Sequence, residues 1–129
     1  MEKETLLAKR MKKVLMHVQE ITIADLAKKM KHQAPFYLID VREDPEWDQG
    51  FLPSAVHLTR GKLELNIENL TSDLKADIVL YCGGGTRSAL AAESLQEMGY
   101  QNVSSLRGGY RDWVAAGLPI EIQLGKSGI

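Results

Sequence analysis

Asp77-Ile78-Val79-Leu80-Tyr81-Cys82, then Gly83-Gly84-Gly85-Thr86-Arg87, then Ser88-Ala89-Leu90-Ala91-Ala92-Glu93-Ser94-Leu95-Gln96-Glu97-Met98-Gly99, is the stretch around which the chain is organised. It reads as strand, tight loop and helix. Ile78, Val79, Leu80 and Tyr81 form a short apolar run of strand formers, the pattern of a strand buried on both faces of a parallel sheet. From Ser88 the period becomes helical, with Ala91, Leu95 and Met98 on one face and Gly99 placed to end the helix. Cys82, the only cysteine, therefore sits where a strand ends and faces a helix N-terminus.

Three successive glycines allow positive φ and can turn several N–H groups toward one point, forming an anion-binding nest backed by the helix dipole. A thiol in that setting is expected to ionise more readily than a free cysteine. Arg87, five residues after Cys82, adds a charge that does not titrate away. A lone cysteine is more commonly an inert buried thiol, but that role needs neither a strand end, three glycines nor an arginine. The loop is not a P-loop, because the spaced Gly-Lys-Ser/Thr ending is missing.

Tyr81-Cys82-Gly83-Gly84-Gly85-Thr86-Arg87-Ser88 resembles the active loop of rhodanese-like sulfurtransferases, whose pattern is Cys, four residues, Arg and a helix. The resemblance extends to Leu38-Ile39-Asp40-Val41-Arg42-Glu43, Gly50-Phe51-Leu52-Pro53-Ser54-Ala55, Leu106-Arg107-Gly108-Gly109 with Trp113, and Gly117-Leu118-Pro119. It covers residues 21–121. It implies an α/β fold with a mostly parallel sheet of about five strands, helices on both faces, and Cys82 cradled at one end. It also implies that Cys82 is catalytic and carries sulfur as a persulfide, with Gly83, Gly84, Gly85, Thr86 and Arg87 binding the substrate. Asp40 and Arg42 match a pair that supports the loop, although ion pairing with neighbours such as Glu43, Asp44 or Glu46 is at least as good a structural reading. The family usually has His at Phe51 and Gly at Ser54, so the local hydrogen bonding of that turn is in question.

In the family, thiosulfate is the laboratory donor, cyanide the laboratory acceptor, and thiols the cellular acceptors; a protein acceptor is also open. Two rival readings stand beside this one. The phosphatase and arsenate-reductase branch of the fold has a similar loop but five residues between Cys and Arg, where this chain has four. Non-catalytic rhodanese-like modules usually lack the cysteine, whereas a persulfide carrier would keep it. The loop interior carries no basic residue, so efficient use of thiosulfate does not follow from the resemblance.

The 129 residues, 44% hydrophobic and 26% charged, suit one domain with a real core. The formal charge of −1 offers no nucleic-acid footprint. One cysteine permits no internal disulfide and points to a reducing, cytoplasmic setting. No run is long and apolar enough to span a membrane, and no secretory signal is evident. His17, His32 and His57 are scattered, so neither a metal nor a cofactor is expected.

Residues 1–19 are expected to be an amphipathic basic helix, 20–122 the rhodanese-like domain and 123–129 a tail. Leu7, Met11, Val14, Leu15 and Val18 share the apolar face of that helix, while Lys9, Arg10, Lys12 and Lys13 occupy the rest. The helix can pack on the domain or serve as a docking arm for an acidic partner or membrane surface; packing is the favoured expectation. Strands are expected near residues 20–23, 36–41, 55–58 and 102–106, with a helix over 24–31, Trp47 buried in a helical turn, and Trp113 in the core. Arg60 and Lys62, in a loop after a strand, are expected at the pocket rim, because such loops overlook the ligand edge of an open α/β sheet.

Overall fold

The computed structural model describes residues 3–32 and 34–123; Glu2 and the tail beyond Gln123 lie outside the described residues. Five strands, Gln19–Ile21 (β1), Tyr37–Asp40 (β2), Val56–His57 (β3), Ile78–Tyr81 (β4) and Val103–Leu106 (β5), form one sheet in the order β1-β5-β4-β2-β3. Every pairing is parallel. The helices are Leu6–Val14 (α1), Ile23–His32 (α2), Asp44–Asp48 (α3), Leu63–Leu70 (α4), Thr86–Glu97 (α5) and Gly109–Ala115 (α6), with a 3-10 turn at Arg60–Lys62.

The sheet separates two apolar layers, and strand alternation decides which side chain enters which. In β4, Ile78 and Leu80 pack toward α1, α4 and α5 with Val14, Ile67, Ala92 and Leu95. Val79 and Tyr81 point to the other face, where Leu26 of α2, Leu106 and Trp113 of α6 complete the second layer. All four β4 residues are buried, as a strand covered by helices on both faces requires. With β5 on one side and β2 on the other, β4 delivers Cys82 to the carboxyl edge at the middle of the sheet.

The N-terminal helix packs on the domain, but more briefly than its apolar pattern suggests. Thr5 caps it, its Oγ1 accepting from Ala8 N at 2.9 Å, so α1 begins at Leu6. The helix ends at Val14, and Val18 returns to the core through the following turn. Met11, Val14 and Val18 join the core, whereas Leu7 and Leu15 stay exposed because the helix is too short to carry all five inward. Arg10 and His17 both reach Glu93 of α5, tying the segment down.

Three further details fill out the fold, and the second departs from the expected burial of Trp47. Residues 63–70 form α4, burying Leu63 and Ile67 at i, i+4 while Leu65 is exposed. Trp47 is only partly buried, its ring stacked 3.8 Å from Phe51 and 4.7 Å from His57. The last described residues are anchored: Phe51 and Glu121 exchange two backbone hydrogen bonds at 2.9 and 2.8 Å, and Trp113 Nε1 donates to Pro119 O at 2.7 Å.

Candidate active site

Cys82 lies immediately beyond β4, and its sulfur is turned under the start of α5. The amide of Gly85 donates to Sγ at 3.1 Å and that of Ser88 at 3.4 Å, while Ser88 Oγ lies 3.5 Å away. The sulfur thus accepts from two backbone amides at the start of the helix. The residue is 1% exposed, so a reactant must arrive through the loop mouth. Ser88 Oγ also donates to Gly85 O at 3.2 Å and lies 2.7 Å from Ser105 Oγ of β5, which fixes the hydroxyl beneath the sulfur.

Of the three loop glycines only Gly85 uses the left-handed region, at φ 113°, as the N-cap of α5. Gly83 and Gly84 serve a different purpose, because side chains crowd their open faces. A Cβ on Gly83 would lie 3.0 Å from Arg87 Nη2, and one on Gly84 would lie 3.3 Å from Arg111 Nη1. Thr86 opens α5 and is exposed.

From below, α6 fastens the loop. Tyr110 N donates to Cys82 O at 2.8 Å and Arg111 N to Gly83 O at 3.0 Å. Gly109 permits this approach: at φ 55°, a Cβ there would meet Cys82 O at 2.4 Å. The sequence signal was the Gly108-Gly109 pair, which announces close backbone approach.

Asp40 and Arg42 pair with each other. Arg42 Nε donates to both carboxylate oxygens at 3.0 Å, and Nη2 to Asp40 Oδ2 at 2.7 Å, with both residues buried. Nη2 also donates to Gly50 O at 2.6 Å, and the guanidinium lies 4.1 Å from the Tyr110 ring centroid. Burial works against the Arg42 charge, but the hydrogen bonds and field of Asp40 outweigh it and its pKa rises. The same burial, reinforced by Asp40, pushes Tyr81 far up, so its neutral hydroxyl accepts from Leu52 N at 3.1 Å. The pair thereby braces Tyr110, whose backbone holds Cys82.

Arg87 lies against Gly83 of the loop and is held there by a carboxylate from another element. Its Nη1 and Nη2 donate to Glu46 Oε1 and Oε2 at 2.7 and 2.9 Å. The Arg87 hydrogen bonds hold the Glu46 carboxyl at about 2, and the Arg87 pKa rises. The sequence offered Glu46 only as a neighbour for Asp40 and Arg42, because its actual partner is 41 positions away. Its carboxylate sits at N3 of α3, where it also accepts from Glu43 N at 3.0 Å in a capping box.

Arg60 does not reach this mouth. It is bidentate on Glu64, at 2.9 and 2.8 Å, and lines a separate hollow with Arg10, Leu90 and Glu93 along α5. The 3-10 turn places an i, i+4 carboxylate beside it and directs the chain along the helix. Lys62 is exposed in the same turn. The hollow beside the loop, about 390 Å³, is lined instead by Arg42, Glu46, Gly83, Tyr110, Arg111 and Val114.

Residues 22–116 match the rhodanese-like domain model. Among curated relatives, a sulfurtransferase of Allochromatium vinosum is 34% identical over 103 residues, covering 80% of this chain and 94% of its own length. The thiosulfate sulfurtransferase GlpE of Haemophilus influenzae is 34% identical over 106 residues, covering 82% and 97%. A solved Rhodopseudomonas palustris structure, described as a protein of unknown function and possible tyrosine phosphatase, is 30% identical with a TM-score of 0.79, covering 94% of this chain and 99% of its own. The family match spans the strand, loop and helix that build the Cys82 cradle, and the chain belongs to the rhodanese-like domain family.

Proposed function

We propose that this chain is a single-domain sulfurtransferase, or persulfide carrier, that moves sulfane sulfur from a donor such as thiosulfate to a thiophilic acceptor through Cys82. The observation that carries the reading is the sulfur itself, held at a strand end with the amides of Gly85 and Ser88 donating to it. Cys82 thiolate attacks the outer sulfur of thiosulfate; a sulfur–sulfur bond forms, the bond to the sulfonate group breaks, and its electron pair leaves on sulfite. Cys82 is left as a persulfide anion. A thiol, or cyanide in the laboratory, then takes the outer sulfur and restores the thiolate, so the kinetics are ping-pong. Loop amides from Gly83 to Arg87 serve as preorganised donors to the negative charge. We place the activity in the cytoplasm, where a lone thiol stays reduced.

The phosphatase reading, which the description of the Rhodopseudomonas neighbour raises for that protein, asks for a wider cradle with its arginine free. Four residues separate Cys82 from Arg87, and Glu46 occupies both arms of the guanidinium. Both facts favour a small sulfur-sized cradle.

The test is intact-protein mass spectrometry after exposure to thiosulfate, beside steady-state turnover with cyanide. The native protein should gain one sulfur atom and lose it to cyanide, while Cys82→Ser, nearly isosteric, should keep the fold and lose both properties. No added sulfur in the native protein, or turnover retained in Cys82→Ser, would overturn the reading.

A further inference from the structure

Three arginines approach the mouth of the Cys82 loop, and two are already neutralised. Arg42 is buried on Asp40, and Arg87 is held in both arms by Glu46. Arg111 has no anionic partner among the described residues. Its backbone is pinned, because its N–H donates to Gly83 O at 3.0 Å, so the side chain starts from a fixed point beside the loop. The guanidinium lies flat against Gly84: a Cβ built there would be 3.3 Å from Nη1 and 3.6 Å from both Cζ and Nη2. Arg111 also lines the hollow of about 390 Å³ that it shares with Glu46 and Gly83. The neighbouring carboxylate, Asp112, is turned back over Gly108 instead.

We propose that Arg111 is the specificity-determining residue that selects anionic sulfur donors, supplying from α6 the positive charge that the uncharged loop interior lacks. This rests on the sulfurtransferase reading for its biological meaning. The charge geometry itself can be tested without turnover. The paired Glu46–Arg87 on the Gly83 side has no net charge, so the Gly84 side sets the sign of the field at the mouth. A dianionic donor is drawn there and its leaving sulfite faces a cation. A positively charged donor is repelled.

Cys82 is the only cysteine, so charged methanethiosulfonates report on it alone. Its thiolate displaces methanesulfinate from such a reagent and forms a mixed disulfide, whatever charge the transferred group bears. The measurement is the ratio of labelling rates for the sulfonatoethyl (anionic) and trimethylammonioethyl (cationic) reagents at low ionic strength. One unit charge at the mouth, acting through water, is expected to change each rate roughly threefold and in opposite directions, so Arg111→Ala should lower the anion-to-cation ratio roughly tenfold. Salt should erase most of the difference. Arg111→Lys should keep most of the native ratio, and thiosulfate KM should rise several-fold in Arg111→Ala with kcat little changed. An unchanged ratio in Arg111→Ala, or failure of both reagents to label the native protein, would overturn the proposal. A ratio that responds while thiosulfate loads no sulfur would keep Arg111 as the charge selector and reject the sulfurtransferase reading instead.

Discussion

Replacing Gly109 with alanine should disable the loop without touching a reacting atom. The backbone there has φ 55°, and the new methyl carbon would lie 2.4 Å from Cys82 O, 2.9 Å from Gly83 C and 2.9 Å from Gly83 O. None of these is a flexible side chain, so α6 or the loop must move. Holding a non-glycine residue in the left-handed region costs about 1–2 kcal/mol. Moving the helix away lengthens or breaks Tyr110 N to Cys82 O and Arg111 N to Gly83 O, each worth about 1 kcal/mol. The sum is about 3–4 kcal/mol, or roughly 10 °C in Tm for a chain of this size. Sulfur transfer should fall by at least about 100-fold, since a misplacement near 1 Å at a reacting group is enough for that. Denaturant unfolding and thiosulfate turnover check both effects. Gly117→Ala is the comparison, because it has a similar φ of 74° but nothing within 4 Å of the new Cβ. If the two variants lose equal stability and Gly109→Ala keeps native turnover, the contact between α6 and the loop is not what positions Cys82.

Glu46 gives a pH signature. Its carboxyl sits at about 2 in the fold against an ordinary value of 4.5, so its contribution is complete above about 4.5 and is lost as the pH falls toward about 2. Glu46→Gln should therefore flatten the loss of stability across that window, and at pH 7 should cost no more than about 1 kcal/mol, because the pair is over a third exposed; denaturation midpoints from pH 2 to 7 measure it. Ser54, at φ 69°, is the only described non-glycine residue at positive φ, at the position where the family usually has glycine. Ser54→Gly should stabilise the fold by up to about 1 kcal/mol, the relieved strain less the extra entropy of the unfolded chain, and a lower Tm would refute that account.

The strand at Ile78–Tyr81 and the helix after it were legible because local pattern and tertiary burial agree there. A four-residue apolar run can be read as a central strand, and its covering by helices on both faces follows from that position. Agreement was weaker at the N-terminus. Leu7 and Leu15 have the right helical spacing but lie outside the core, because Thr5 starts α1 at Leu6 and Leu15 serves as its C-cap. Periodicity identifies a face; it does not say where a cap will cut it. Trp47 illustrates another limit: its stacking depends on Phe51 and His57, brought beside it by a turn and a strand that local propensity does not orient.

The candidate nucleophile was visible for a reason that does not extend to the charges around it. Cys82, its glycines and Arg87 lie within one short supersecondary unit, so their meeting is a matter of loop geometry. The placement of Arg87 is not local: Glu46 competes for it from α3, and only the order of strands in the sheet brings those elements together. Arg60 was drawn to the wrong place by the same omission, since strand-end topology suggests an edge but Glu64 fixes the side chain. Arg111 passed unnoticed for the converse reason. Beside Asp112 in sequence it looks like an ordinary surface cation, and its distinction emerges only when the other arginines near the loop have found their carboxylates. Local pattern thus located the cysteine proposed as the nucleophile, whereas the field around it is set by which long-range ion pairs form and which cation they leave over.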